Sequence, residues 1–299
     1  MRAFLFPGQG SQKVGMDAGL PRTRFAEADE ALGFALSKII AEGPDTELLR
    51  TQFTQPAILT VSIAWADQLR ERGITADIAA GHSLGEYSAL VYAGALTFAD
   101  AVRLVHLRGK FMQEAVPEGV GAMAAIIGLD ASTVADSCRE ASPDESDACQ
   151  PANFNGAGQV VVAGHKAAVE RTMALAKQKG AKLVKALPVS APFHSALMAP
   201  AAERLRAELE RVKVAPLQLP VVANVTAEPN SDAARVKELL HRQVTGSVRW
   251  EETVQKLAAL GVDEAYEVGP GAVLAGLVKR IAPSVKLQPL QVTPGASNG

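Results

Sequence analysis

Gly81-His82-Ser83-Leu84-Gly85 carries the most explicit chemistry in the chain. A serine stands between two glycines, after an apolar run that reads as a strand and before one that reads as a helix. Flanking glycines permit a sharp, crowded turn that lifts the hydroxyl out of the carboxyl edge of a sheet. The helix start behind it offers free main-chain N–H groups and a positive dipole end, both suited to an oxyanion. This is the chemistry of nucleophilic acyl transfer, set against the plainer reading of a structural turn. Such a serine needs a base, and the chain has 5 histidines. His82 lies inside the turn and should point away from the hydroxyl. His106 falls mid-helix, His165 in the middle of the chain and His241 on a solvated helix face. His194, in Ser190-Ala191-Pro192-Phe193-His194-Ser195, occupies a loop between a strand and a helix, where catalytic residues concentrate. The alternative for it is a packed loop histidine. A carboxylate partner for the base should lie at a strand end between Ser83 and His194. Glu86, Asp100, Glu114, Asp130 and Asp144 all have other addresses: helix caps, surface positions or the middle segment. An ordinary hydrolase triad is therefore not expected.

The elements that must hold these residues alternate between strand and helix. A strand over 3–6 runs into Pro7-Gly8-Gln9-Gly10. A helix opens at Pro56 and continues towards Arg72, and a strand over 78–80 leads to the serine turn. Thr97 and Asp100 have capping-box spacing and open a helix ending near Pro117. Residues 122–189 then read strand, helix, strand, strand, helix, strand, which is the ferredoxin-like order. Afterwards come a helix at 197–212, a strand at 221–225, a helix across 248–260, a strand at 265–268 and a last helix ending near Ala282. The fold class is thus α/β, a mostly parallel sheet covered by helices with a small unit inserted. The expected division is a discontinuous large domain at 1–119 and 189–285, a small domain at 120–188 and a tail at 286–299, frayed from Thr293 onward.

Composition excludes several classes. The 299 residues carry 30 Lys+Arg against 32 Asp+Glu, a net charge of -2, with 48% hydrophobic residues. Disorder needs low hydrophobicity and high net charge, and neither is present. No apolar run approaches the ~20 residues of a membrane span. A near-neutral balance argues against nucleic acid as partner. Cys138 and Cys149 are too few for a zinc site or a disulfide framework and favour a reducing compartment. The apolar run before Pro7 is too short for a signal-peptide core, so a cytoplasmic protein is expected; a monomer is the expected state. Pro7-Gly8-Gln9-Gly10 is followed by neither of the glycine-rich phosphate-binding patterns.

Six motifs in register extend the reading. They are Phe6-Pro7-Gly8-Gln9-Gly10-Ser11-Gln12, Thr54-Gln55-Pro56-Ala57, the serine turn continued by Glu86-Tyr87-Ser88, Leu107-Arg108-Gly109 with Met112-Gln113, Pro192-Phe193-His194-Ser195, and Tyr266-Glu267-Val268-Gly269-Pro270-Gly271. Together they resemble the malonyl-CoA:acyl carrier protein transacylase family over residues 4–282. The resemblance implies a hydrolase-like core with a ferredoxin-like insert. It implies Ser83 as acyl-accepting nucleophile, His194 as base, and an oxyanion hole from the N–H groups of Gln9 and Leu84. In this family a main-chain carbonyl replaces the carboxylate behind the histidine, and the matching position is Gln243. Arg108 would hold the malonyl carboxylate by two parallel charge-assisted hydrogen bonds. Gln55 would be a polar pocket residue, Asn155 a further residue lining the cleft, and Phe193 would fill the space of an α-methyl group. Malonyl-CoA is then the substrate and the phosphopantetheine thiol of an acyl carrier protein the acceptor, with no metal and no permanently bound cofactor. A thioesterase on the same turn and a non-catalytic docking subunit of a synthase complex are the rival functions. Gly246-Ser247, where relatives often carry a residue followed by proline, predicts a looser loop beside Gln243.

Overall fold

The structure, a computed structural model, describes residues 1–189 and 191–290. Six strands form the larger sheet: β1 (Arg2–Phe6), β2 (Ile78–Gly81), β7 (Val221–Val222), β8 (Pro229–Asn230), β9 (Glu264–Glu267) and β10 (Lys286–Gln288), numbered among ten in chain order. Their order is β10-β9-β1-β2-β7-β8, parallel throughout except for the β7–β8 hairpin. The central strands are buried on both faces, as parallel strands between helix layers must be. Phe4, Phe6 and Ala79 pack into one core. Ala3, Leu5, Ile78 and Ala80, alternating with them, pack into a second core with Trp250, Leu257 and Leu274. Helices Thr51–Glu71, Gly85–Tyr92, Phe98–Glu114 and Ala199–Arg211 build the first layer. Trp250–Ala259 and Val273–Ile281 build the second.

The second sheet is antiparallel: β3 (Gly121–Ile127), β4 (Cys149–Gly156), β5 (Gln159–His165) and β6 (Leu183–Ala186), in the order β4-β5-β3-β6. Helices Ala131–Ala141 and Lys166–Gln178 cover one face around Ile126, Val134, Val162 and Val169. On the other face Met123, Ala152, Val161 and Ala163 meet Phe193, which also packs against the core of the larger sheet. The two sheets are stitched by main chain as well. Phe154 donates to the Val248 carbonyl at 2.9 Å, and Val248 donates to Ala152 at 2.9 Å. Cys138 and Cys149 are buried free thiols.

Several elements depart from the sequence reading. The helix expected to open at Pro56 begins at Thr51, so the proline is internal. Pro56 cannot donate to the carbonyl of Gln52, and the His106 ring takes its place, with Nδ1 2.8 Å from that oxygen. Helices Thr23–Leu32, Leu36–Glu42 and Asp45–Leu48 were not anticipated, and Ala233–Thr245 was foreseen only as the helix that carries His241. The strand expected over 221–225 pairs only at Val221–Val222 before the chain reverses into β8. Residues 286–288, assigned to the tail, pair as an edge strand with β9. The segment 293–299, expected to fray, lies outside the described residues.

Candidate active site

Ser83 sits immediately beyond β2 with φ 52°, a left-handed conformation that a side-chain-bearing residue adopts only at a cost of ~1–3 kcal/mol. Positions 81 and 85, two residues to either side, must be glycine because the turn is crowded. A Cβ on Gly81 would lie 1.9 Å from the Gly85 carbonyl carbon, and one on Gly85 would lie 2.0 Å from the Phe6 oxygen. Asn224, just past β7, holds the turn from the adjacent strand. Its Oδ1 accepts from the Ser83 N–H at 2.7 Å and its Nδ2 donates to the Gly81 carbonyl at 2.6 Å. Gln9 follows β1 and Leu84 follows β2, and these strands pair in register with Phe6 opposite Gly81. Both amides therefore leave the same edge of the sheet, and among the described residues neither has a main-chain acceptor outside its own element.

The serine hydroxyl and His194 meet across 111 residues: Oγ to Nε2 is 2.7 Å. His194 is buried, also with positive φ, 58°. Its Nδ1 faces two main-chain carbonyls, Gln243 at 2.9 Å and Gly246 at 3.1 Å. Carbonyls only accept, so Nδ1 carries the proton and Nε2 presents a lone pair to the serine. Burial first, and then the charge of Arg108, push the imidazole down to about 3. It is neutral, with its Nε2 lone pair available to accept a proton, across the physiological range. The Gly246-Ser247 loop is tied rather than loose, since Ser247 donates to the Pro151 carbonyl at 2.7 Å and Val248 joins β4.

Arg108 is only 1% exposed yet meets no carboxylate directly. Its Nη1 donates to Gln55 Oε1 at 2.7 Å, and its Nη2 donates to Gln243 Oε1 at 3.0 Å and to Ser83 Oγ at 3.1 Å. The Tyr87 ring lies beneath it, with its centroid 5.6 Å from the guanidinium carbon. Its Nε has no partner among the described residues. Neutral amides leave the buried cation without a direct counter-ion, an arrangement that favours an incoming carboxylate. Burial lowers the Arg108 pKa, but a guanidinium stays charged in proteins.

The structure thus brings Ser83, His194, Arg108, Gln55 and Gln243 together, with Phe193 next to the base. Asn155 takes a different part: its Oδ1 bonds His82 Nε2 at 2.9 Å, anchoring the turn to the second sheet. Three contributors were missed. Glu86, dismissed in the search for a triad acid, is buried beneath the serine, where its Oε2 accepts from Gln243 Nε2 at 2.7 Å and from the Asn224 N–H at 3.0 Å. Burial raises it to about 7. Asn224 was missed although it follows a strand next to β2, the one signal that could have found it. Gln150, on β4, donates to the carbonyls of His194 and Thr245, both at 3.3 Å.

Comparison with known proteins gives a consistent picture. Residues 3–294 match the family described as the acyl transferase domain. The malonyl CoA-acyl carrier protein transacylase of Salmonella typhimurium is 52% identical over 286 residues, covering 93% of this chain and 92% of the relative. That of Bacillus subtilis strain 168 is 49% identical over 285 residues, covering 93% and 90%. Among solved structures, an acyl carrier protein S-malonyltransferase from Vibrio cholerae superposes with TM-score 0.93 at 45% identity, covering 96% of this chain and 95% of the other. A malonyl-transacylase in complex with a type II PKS acyl-carrier protein also gives TM-score 0.93, at 46% identity over 96% and 94% of the two chains.

Proposed function

From the premise that the chain belongs to the acyl transferase domain family, we propose that it moves a malonyl group from malonyl-CoA to the phosphopantetheine thiol of an acyl carrier protein. The observation that carries this reading is the buried, carboxylate-free Arg108 guanidinium 3.1 Å from the Ser83 hydroxyl. In the first half-reaction Ser83 Oγ attacks the thioester carbon while His194 Nε2 takes its proton. The tetrahedral oxyanion is met by the N–H groups of Gln9 and Leu84, fixed donors that need no reorganisation. The carbon–sulfur bond breaks, and the thiolate of CoA leaves with the proton from His194. In the second half the carrier thiol gives its proton to His194 and attacks the malonyl-Ser83 ester, and Ser83 departs reprotonated.

Arg108 grips the malonyl carboxylate through both halves, so the reacting carbonyl stays in place. Gln55 and Gln243 hold the guanidinium, and the Gln243 carbonyl orients the base. Phe193, wedged between the two sheets beside His194, occupies room that an α-methyl group would need. The chemistry runs on side chains and main-chain amides and calls for no resident cofactor. No helix among the described residues is long and apolar enough to cross a membrane.

The larger sheet reads as a hydrolase-like core, residues 1–119 with 189–285. The order β4-β5-β3-β6, with one helix after β3 and one after β5, supports reading residues 120–188 as a ferredoxin-like insert. Incubation with malonyl-CoA and carrier protein tests the function. Carrier bearing the phosphopantetheine thiol should gain a malonyl group, and carrier lacking it should not. Release of free malonate and CoA instead would mark a thioesterase, and no reaction would mark a docking subunit.

A further inference from the structure

Arg108 is in contact with the nucleophile itself, a contact that a clamp on the malonyl carboxylate does not by itself require. A guanidinium offers two edges on which a carboxylate can be held by two parallel bonds: the pair Nη1 and Nη2, and the pair Nε and Nη2. Both edges need Nη2. In this chain the two Nη2 protons are already directed to Gln243 Oε1 at 3.0 Å and to Ser83 Oγ at 3.1 Å. Any two-pronged grip on a carboxylate must therefore displace one of them. Gln243 is not free to move, since its Nε2 donates to Glu86 Oε2 at 2.7 Å and to the Ser83 carbonyl at 2.9 Å. The bond to Ser83 Oγ is the longer of the two, and among the described residues its acceptor is a hydroxyl held otherwise only by His194.

We propose that Arg108 is a latch on the nucleophile: without a carboxylate it donates to Ser83 Oγ, and an acyl group bearing a carboxylate draws that N–H away and frees the oxygen lone pair for attack. The inference rests on the malonyl reading and deepens it. Selectivity then has two parts. A malonyl group gains the clamp and releases the serine, whereas an acetyl group gains no clamp and meets a serine whose lone pair is engaged. Burial first, and then the Arg108 charge, hold His194 below its ordinary basicity, and the carboxylate offsets the second of these. Releasing the latch makes the base stronger at the moment it is needed.

Labelling of Ser83 by methanesulfonyl fluoride, a neutral reagent that forms a serine–sulfonyl bond and expels fluoride, tests the latch without any acyl substrate. Formate supplies the carboxylate alone, and formamide is its neutral counterpart at the same ionic strength. Formate should accelerate labelling of the wild-type chain saturably, by about tenfold, the factor that ~1.4 kcal/mol of hydrogen bonding is worth. Formamide should not. Arg108→Ala should label at the formate-stimulated rate without formate and ignore its addition. Formate that slows labelling or leaves it unchanged would overturn the latch, as would an Arg108→Ala chain that labels no faster than wild type. The wild-type titration decides the matter even if the variant folds poorly. Malonyl loading from malonyl-CoA, measured separately, reports on the underlying function, so the two ideas fail independently.

Discussion

Replacing Arg108 by alanine should separate malonyl from acetyl transfer. The guanidinium is 1% exposed and keeps company with two amide oxygens, a hydroxyl and an aromatic ring. In that setting a carboxylate held by two charge-assisted bonds is desolvated, and breaking such a pair by removing one partner costs about 3–5 kcal/mol. At about 1.4 kcal/mol per factor of ten, kcat/KM for malonyl-CoA should fall by about 10²–10⁴. Acetyl-CoA makes no use of the charge, so its kcat/KM should hold or rise. The variant also leaves Gln55 Oε1 and Gln243 Oε1 without a donor, at about 1–3 kcal/mol each in stability. Thermal unfolding must therefore be recorded alongside, and the assays run well below the lowered Tm. Intact-mass measurement of enzyme mixed with both thioesters at equal concentration gives the ratio directly. If malonyl and acetyl loading fell by the same factor, Arg108 would be supporting the fold of the site rather than reading the substrate, and the clamp would be refuted.

Three further outcomes follow from the same geometry. His194, held down to about 3, should support Ser83 loading with no acid limb near pH 6.5, and the rate should decline only as the pH approaches 4 and below, which a stopped-flow pH profile will show. Because its folded pKa is depressed, its contribution to stability is present above about 6.5, the ordinary histidine value, and is lost as the pH falls towards 3, so the midpoint of chemical denaturation should fall across that window. Asn224→Ala removes the side-chain bonds to the Ser83 N–H and the Gly81 carbonyl, and should lower stability by about 1–3 kcal/mol and reduce kcat for loading more than it changes KM. Glu86, raised from 4.5 to about 7, disfavours the folded state increasingly as pH rises through that interval, so the Tm of Glu86→Gln relative to wild type should be more favourable at pH 8 than at pH 5.

The chemistry of the site was more legible than its support. Ser83 announced itself because a strained turn needs glycines on both sides, a local requirement written in five consecutive residues. His194 was legible as the histidine placed on a loop between elements, although its distance from Ser83 is set by the whole sheet. Glu86 and Asn224 were hidden for opposite reasons. The first has the sequence context of an exposed first-turn acid, and only the packing of helix Gly85–Tyr92 against the sheet buries it. The second follows a strand with only two paired residues, too brief for any alternation to reveal. In the fold, the two core strands were plain because they are apolar on both faces. Helix Ala233–Thr245 was legible only through the solvated face of His241, although Val236, Leu239, Leu240, Gln243 and Val244 recur at helical spacing, the buried face that carries Gln243 to the base. Pro56 misplaced a helix start because the Gln52 carbonyl it strands is taken up by His106, a partner 54 residues away in the chain.

The most direct test of the account is the mass of the enzyme after brief mixing with malonyl-CoA alone. One malonyl group should appear on the wild-type chain, map to Ser83, be discharged by carrier protein bearing its phosphopantetheine thiol, and be absent from Ser83→Ala. A wild-type chain that transfers malonyl to carrier without ever carrying it, or an adduct that persists in Ser83→Ala, would contradict it.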